Sequence, residues 1–216
     1  MTDRNERGVD CSTPVRDAAC LVLIDRSGSA PRLLMGRRLP TQIFLPNKWV
    51  FPGGRVDDAD HTRAAHLSAL DGTAPYTAAH LPFVAAAVRE TFEEAGIEIA
   101  AFDAGDAATA LTPLARAITP PGLPRRFDTW FYIADWDCAR LATGTPDGEL
   151  LDLGWFTIDQ IRDLDLPLIT RLVVDDVAIV TAAAPDPRPA LVPFYFQSVD
   201  GYRRTLISPS APWPQP

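Results

Sequence analysis

Cysteine and histidine are scarce in this sequence, and neither has the spacing of a disulfide framework or a metal site. The three cysteines are scattered and include no Cys-x-x-Cys pair. An odd, dispersed set of this kind indicates a reducing compartment. The three histidines, His61, His66 and His80, include no helical ligand pair. We therefore expect them on the surface or in loops, without a zinc ion.

Positive charge is also in short supply. Twenty Lys and Arg face 28 Asp and Glu, for a formal net charge of −8. Nucleic acid and anionic membranes bind surfaces on which Lys and Arg cluster, so we expect neither as a partner. The chain also lacks an apolar run of about 20 residues, the length needed to cross a bilayer, and its start lacks a signal-peptide core. These absences predict a cytoplasmic protein.

The rest of the composition is that of an ordinary globular domain, with 47% hydrophobic and 22% charged residues among 216. This length suits one domain with a packed interior. Residues 1–15 are polar and aperiodic, and we expect a flexible N-terminal tail there. A single domain is then expected over residues 16–210.

Short apolar runs alternate with helical patterns along this domain. The predicted strands lie at 18–24, 32–38, 48–54, 97–99, 126–134, 148–156, 191–198 and 202–208. The predicted helices lie near 62–70, 82–95, 104–117, 158–164 and 167–183, the last with apolar Leu168, Leu172, Val173 and Ile179. Mixed strands with a few helices predict an α/β (α+β) fold built as an α/β/α sandwich.

The most informative stretch is Arg89-Glu90-Thr91-Phe92-Glu93-Glu94-Ala95-Gly96-Ile97. As a helix that ends at Gly96, it places Glu90, Glu93 and Glu94 on one face. The opposite face is apolar and is expected to be buried: Val84, Val88 and Phe92. Like charges at these spacings cost roughly 0.2–0.5 kcal/mol per pair, and a divalent cation would remove that cost because hard oxygen ligands suit Mg²⁺. A solvated acidic surface is the alternative.

This stretch and the Gly53-Gly54 turn before it resemble the Nudix box, the signature of hydrolases acting on nucleoside diphosphates linked to another moiety. Two features depart from the family pattern. Asp60 stands where a glutamate is usual, six residues after Gly54. Arg89 follows Gly54 by 35 residues, about 21 more than usual, an insertion that is tolerable because closure entropy grows slowly with loop length.

The insertion, at 61–82, and the segments 44–54 and 125–129 resemble the Nudix branch that contains peroxisomal coenzyme A diphosphatases. This resemblance implies a Nudix-type α/β/α sandwich with a mixed β-sheet and a C-terminal extension of helix and hairpin at 165–210. The implied reaction splits coenzyme A or acyl-CoA into 3',5'-ADP and (acyl-)phosphopantetheine. Two alternatives remain: an ADP-ribose or NADH diphosphatase, and a nucleotide-sensing module without catalysis. The resemblance also permits a homodimer.

The same resemblance implies a site for Mg²⁺ or Mn²⁺ built from Glu90, Glu93, Glu94 and the Gly54 carbonyl. Arg89 would orient one glutamate through a charge-assisted hydrogen bond. Which glutamate accepts a proton from water stays open.

Further residues are candidates for binding a small nucleotide substrate: Arg37, Phe51, Arg55, Arg126 and Glu149. Arginine presents paired donors that match phosphate oxygens. Phe51 and Arg37 belong to a partly met coenzyme A motif, and Glu149 precedes a strand where some family members add a metal ligand. For each of the charged side chains, a solvated surface position is the alternative.

Overall fold

A computed structural model describes residues 13–67, 77–99, 111–141, 146–182 and 190–213. Its strands are β1 (Val15–Asp25), β2 (Arg32–Arg38), β3 (Trp49–Val50), β4 (Gly53–Arg55), β5 (Ile97–Ile99), β6 (Thr112–Ile118), β7 (Arg126–Asp135), β8 (Ala139–Leu141), β9 (Leu150–Thr157), β10 (Val192–Ser198) and β11 (Gly201–Ile207). Its helices are α1 (Asp58–Leu67), α2 (Leu81–Ala95), α3 (Ile158–Arg162) and α4 (Leu168–Ala182), with short 3₁₀ turns at Ala78–His80 and Trp136–Cys138.

Nine strands form one mixed sheet in the order β11-β10-β6-β7-β1-β2-β3, with β4 paired to β1 and β9 paired to β2. The β1–β7 and β6–β10 pairs are parallel, and the other pairs are antiparallel. Strands β5 and β8 form a separate two-stranded ribbon. The mixed sheet expected from the sequence is confirmed.

Strand β1 lies inside the sheet and supplies side chains to two hydrophobic cores. Leu21 and Leu23 join the core that contains α2, whereas Val22 and Ile24 join the core that contains α3 and α4. Successive side chains of a strand point to opposite faces, so an apolar run without alternation is buried on both sides. The α/β/α sandwich is therefore confirmed.

Helix α2 ends as the sequence predicts, because Gly96 has the left-handed φ of 66° and donates to the Phe92 carbonyl. The predicted buried stripe is wrong at Phe92, whose exposure is 42%. A spacing of four advances a helical position by about 40° per step, so the third member turns away from the core. Thr91 takes that place, fully buried, with its hydroxyl donating to the Ala87 carbonyl at 2.7 Å. Leu168 and Ile179 of α4 are also exposed, because they lie on the helix face opposite the buried Val177.

The predicted helix at 104–117 is wrong where the structure describes it. Residues 112–118 form strand β6, which pairs with β7 on one side and β10 on the other, and residues 104–110 lie outside the described ranges. Alanine favours helix by less than about 1 kcal/mol per residue over most alternatives, and two rows of strand hydrogen bonds with burial outweigh it.

His80 is fully buried, so its predicted surface or loop position is wrong. One ring nitrogen lies 2.7 Å from the Tyr132 hydroxyl and the other 3.0 Å from the Pro209 carbonyl. The ring also packs edge-on against Trp130 and Trp213, with centroids 4.4 and 4.6 Å away. His80 therefore ties the C-terminal segment to the core.

The C-terminal elements follow the predicted order of helix, helix and hairpin. Thr157 caps α3 in a capping box with Gln160, as its position before the apolar run indicates. Of the predicted insertion, α1 extends to Leu67, and residues 68–76 lie outside the described ranges, as do residues 1–12 of the predicted tail. Within the described ranges, no helix combines the length and apolar character that a bilayer crossing requires.

Candidate active site

Gly53 and Gly54, predicted as a turn, are instead the first residues of strand β4, where they pair with β1 and contact helix α2. The Gly53 N–H donates to a Glu94 carboxylate oxygen at 2.9 Å. A Cβ added to Gly54 would lie 2.3 Å from the Glu90 carboxyl carbon. Position 54 therefore has to be glycine for the Glu90 carboxylate to rest against the backbone.

Arg89 joins both halves of the interrupted box. Its Nε and Nη2 donate to the two Asp60 oxygens at 3.1 and 2.9 Å, while its Nη1 donates to Glu90 and Glu93, each at 2.9 Å. Asp60 is 1% exposed and also accepts from the Asp57 N–H. Its shorter side chain thus still reaches the arginine, because α1 brings its backbone close to α2.

This network keeps Arg89 charged. Burial lowers the pKa of Arg89, but its hydrogen bond to Asp60 and the charges of Glu90 and Asp60 outweigh burial, and the pKa is raised overall. A cation fixed between three carboxylates holds Glu90 and Glu93 in place from below. The guanidinium of Arg89 is therefore bound to groups of the protein, and it orients Glu90 and Glu93.

The two innermost glutamates have strongly shifted acidity. Burial raises the pKa of Glu90 to about 7, although Arg89 works in the opposite direction. Burial also raises the pKa of Glu94 to about 8, against the hydrogen bond from Gly53, with the Glu90 charge adding to the rise. Ionising both at neutral pH is costly unless a cation lies beside them. Glu93, by contrast, has a side chain 43% exposed.

Glu90 and Glu94 line a pocket of about 280 Å³. Its charged lining residues are three arginines and three glutamates: Arg38, Arg55, Arg125, Glu90, Glu94 and Glu149. The two signs balance only when all three carboxylates are ionised. A divalent cation together with an anionic ligand would preserve that balance.

The structure brings some of the predicted substrate residues to this pocket and leaves others away from it. Phe51, Arg55 and Glu149 line the pocket. Arg37 is instead paired with Asp152, to which its Nε and Nη2 donate at 2.8 and 2.5 Å. Arg126 donates to the Thr119 carbonyl at 3.1 Å, and neither arginine is among the lining residues.

Sequence reasoning did not single out Cys20 and Arg38, which line the pocket, and it noted Asp60 only as a departure from the family pattern. Arg38 follows Arg37 directly, and alternation along β2 sends the two side chains to opposite faces. The sequence alone does not say which face carries the pocket. Asp60 had a signal in its spacing from Gly54. Cys20 carries none, and burial, with the charges of Glu94 and Glu90, raises its pKa to about 12, so it remains a neutral thiol.

The donor set fits a hard divalent cation, although the side chains are not gathered around one. Among the described residues, no three His, Cys, Asp or Glu side chains form a ready metal-binding group. Glu93 turns toward Arg89 and Glu94 toward the Gly53 N–H. The fit rests on buried carboxylates with raised pKa values, Glu90 against a glycine backbone, and Glu149 on the same pocket wall.

No protein-family model and no curated protein matches the sequence. Its fold does match solved structures. A Nudix hydrolase from Alicyclobacillus acidocaldarius is 25% identical with a TM-score of 0.57, and the match covers 80% of this chain and 98% of that one. The MutT Nudix hydrolase from Burkholderia pseudomallei is 21% identical with a TM-score of 0.50, covering 76% and 98%. The MutT protein from Bacillus halodurans is 13% identical with a TM-score of 0.52, covering 88% and 97%.

At their identities the two MutT matches speak for the fold alone. All three solved chains are covered almost completely, so the shared part is the whole of each neighbour. The chain therefore has the Nudix fold, as the sequence predicts, and the first match supports an enzyme that acts on pyrophosphate bonds.

Proposed function

We propose that this chain, which has the Nudix fold, hydrolyses the diphosphate bond of a nucleoside diphosphate linked to another moiety. The observation that carries the proposal is the pair of half-buried Glu90 and buried Glu94, whose pKa values are raised and whose carboxylates lie against Gly53 and Gly54. Three arginines line the same pocket and match the charge of a diphosphate. Coenzyme A or an acyl-CoA is the favoured substrate.

The proposed cofactor is Mg²⁺ or Mn²⁺, held by Glu90, Glu94 and the Gly54 carbonyl, with Glu93 as an additional ligand. Such an ion polarises phosphate oxygens and lowers the pKa of a bound water. Glu90 is kept in position by Arg89, and Glu94 by the Gly53 N–H. Each carboxylate is thus preorganised by a hydrogen bond to one of its two oxygens.

The arginines of the pocket would bind the diphosphate and stabilise its negative charge. Arg38, Arg55 and Arg125 surround the pocket from three different segments of the chain, so a diphosphate placed between them meets donors on several sides. Charge grows on the bridging and leaving oxygens of a diphosphate as it is cleaved, and fixed cations stabilise that charge. Arg38 is itself held by the Phe44 carbonyl, to which its Nε donates at 3.0 Å.

Coenzyme A is favoured because both segments that carry the resemblance reach this pocket. Phe44, Leu45 and Phe51 come from the first segment, and Arg125 and Phe127 from the second. ADP-ribose or NADH is the competing substrate, and a nucleotide-sensing module is the competing role. A cytoplasmic location, a homodimer and a single domain over 16–210 complete the proposal.

A metal-dependent hydrolysis panel tests this function. It contains coenzyme A, acetyl-CoA, ADP-ribose and NADH, each with Mg²⁺, with Mn²⁺ and with EDTA. We expect coenzyme A to be split into 3',5'-ADP and phosphopantetheine only when a metal is present, as measured by chromatography of the products. Faster cleavage of ADP-ribose or NADH would move the proposal to the competing substrate. Binding without cleavage of any member would favour the sensor.

Replacing Gly54 by alanine should separate function from folding. The three heavy atoms nearest to the added Cβ all belong to the Glu90 carboxylate, the far end of a flexible side chain, so Glu90 has to move while the fold is kept. A displaced reacting group costs turnover by about 10²-fold. We expect the free energy of unfolding in urea to change by less than about 1 kcal/mol.

Gly53→Ala is the matched control for this substitution. At Gly53 the added Cβ would lie 2.4 Å from the Ala19 carbonyl oxygen and 2.6 Å from the Cys20 Cα, both backbone atoms. This change should cost about 1–3 kcal/mol of stability through overpacking. Equal stability losses in the two variants would contradict the assignment of Gly54 to the site.

A further inference from the structure

A second cavity of about 320 Å³ adjoins the pocket of the glutamates. Six residues line both of them: Phe44, Leu45, Thr119, Thr129, Phe131 and Ile169. The two cavities are therefore immediate neighbours. We refer to the second as the apolar cavity, because its lining differs sharply in chemistry.

Among the described residues that line the apolar cavity, none carries a charge. Polar groups are few, and those with side-chain amides or aliphatic hydroxyls are Thr119, Thr129 and Gln197. The first pocket, of similar size, has six charged lining residues. A phosphate or carboxylate transferred into the apolar cavity would lose its hydration without gaining a cationic partner. Its occupant is therefore uncharged and mainly apolar.

Two further features indicate that the apolar cavity is used for binding. Leu45, which lines both cavities, has a left-handed φ of 53°, which is unfavourable for a residue with a Cβ and is typical of functional sites. Leu123 and Leu168 line the cavity while 42% and 61% exposed. Large apolar side chains that stay in contact with solvent beside a cavity mark a ligand-binding edge.

We propose that the apolar cavity receives an apolar chain carried by the non-nucleotide moiety of the substrate. This inference rests on the proposed function, because the diphosphate has to be anchored by the arginines of the first pocket. The enzyme is then selective for nucleoside diphosphates whose other half ends in a hydrocarbon chain, such as a medium-chain acyl thioester. A second nucleotide or a terminal phosphate does not match the cavity.

The test compares acetyl-CoA with octanoyl-CoA, which share every group except the length of the hydrocarbon chain. Each buried methylene strengthens binding by up to about fourfold. We expect kcat/KM for octanoyl-CoA to exceed that for acetyl-CoA at least tenfold, mainly through a lower KM. A ratio near one in the wild-type protein would overturn the inference, even if both compounds are hydrolysed.

The double variant Leu123→Asn and Leu168→Asn makes the cavity edge polar. Both side chains are partly exposed, so the fold should persist. We expect the octanoyl-to-acetyl ratio of kcat/KM to fall at least fivefold, because only the longer chain contacts the cavity edge. Leu191→Asn and Leu206→Asn form the matched control, since these leucines are 52% and 51% exposed and line neither cavity.

The outcomes separate this inference from the proposed function. An equal loss for acetyl-CoA and octanoyl-CoA in the cavity variant would show that the cavity holds a part common to both, such as the base, and would overturn it. If no compound is cleaved with Mg²⁺ or Mn²⁺, the proposed hydrolase function fails, and calorimetric titration decides on the cavity. Tighter binding of octanoyl-CoA that the variant abolishes supports it, and equal dissociation constants reject it.

Discussion

Replacing Glu94 by glutamine should lower kcat by about 10²–10³-fold, the loss typical of removing one preorganised electrostatic contact at a reacting centre. The amide oxygen of glutamine can still accept the hydrogen bond from the Gly53 N–H, so the contact between α2 and the β4 backbone is kept. The substitution removes the negative charge of a side chain that lines the pocket and is only 2% exposed. A neutral amide binds a divalent cation far less well than a carboxylate.

The same variant should be at least as stable as the wild-type protein in EDTA. Burial raises the pKa of Glu94 to about 8, which means that the folded state disfavours its ionised form. Glutamine removes this unfavourable ionisation. In thermal denaturation, Mg²⁺ should raise the Tm of the wild-type protein and leave that of Glu94→Gln nearly unchanged.

Glu98→Gln is the control for charge alone. Glu98 lies on β5, paired with Arg140 at 2.7 Å on the surface and outside the pocket. Loss of such a pair costs about 0–1 kcal/mol, and turnover should stay within about twofold. An unchanged kcat in Glu94→Gln would remove this residue from the proposed metal site.

The second large effect concerns His80 and the acid stability of the fold. Burial, together with the charge of Arg116, lowers the pKa of His80 to about 3, against the hydrogen bond to Pro209. An unfolded histidine titrates near 6.5. Between these values the unfolded state binds the extra proton, so stability is lost as pH falls below about 6.5. From pH 7 to pH 5 this histidine should cost about 2 kcal/mol.

The variant His80→Gln tests this origin. Glutamine does not titrate, and it fills less of the space between Trp130 and Trp213. We expect lower stability at every pH, but a difference between pH 7 and pH 5 that is smaller than the wild-type difference by about 2 kcal/mol. Urea denaturation at the two pH values gives both quantities.

Comparison with His61→Gln isolates the effect of burial. His61 is exposed, so its replacement removes a histidine without removing a buried one. The raised pKa values of Glu90 and Glu94 act in the opposite direction, because their protonation in acid relieves the folded state. The readout is therefore the difference between wild type and variant. A variant that keeps the full wild-type acid sensitivity would contradict the role assigned to His80.

The elements that sequence reasoning predicted well are those in which local pattern and tertiary environment agree. Residues 126–134 alternate and are aromatic, and β7 covers them with one further residue. Gly96 ends α2 because only a residue tolerant of positive φ fits that cap. The proximity of Glu90 and Glu94 to Gly53 and Gly54 is what the family resemblance implies, although the insertion departs from the usual spacing.

The errors arose where the surroundings decide. Strand β6 is alanine-rich at its centre, and only its neighbours β7 and β10 make it a strand. Burial of His80 depends on Tyr132 and Pro209, which are 52 and 129 residues away in sequence. No local pattern contains such contacts. Likewise, Arg37 and Arg38 are equivalent candidates until the sheet fixes which side of β2 faces α2.

The contact between Asp60 and Arg89 bears on how this protein could be altered. Helix α1 is fastened to α2 by a buried carboxylate–guanidinium pair whose members lie 29 residues apart in sequence. The position of the glutamates is thus set by this fastening and does not depend on the length of chain between the two helices. A longer chain between α1 and α2 should therefore leave Glu90 and Glu93 in place for as long as Asp60 and Arg89 stay paired. The two halves of the interrupted box can therefore be far apart in sequence and still keep their contact in the structure.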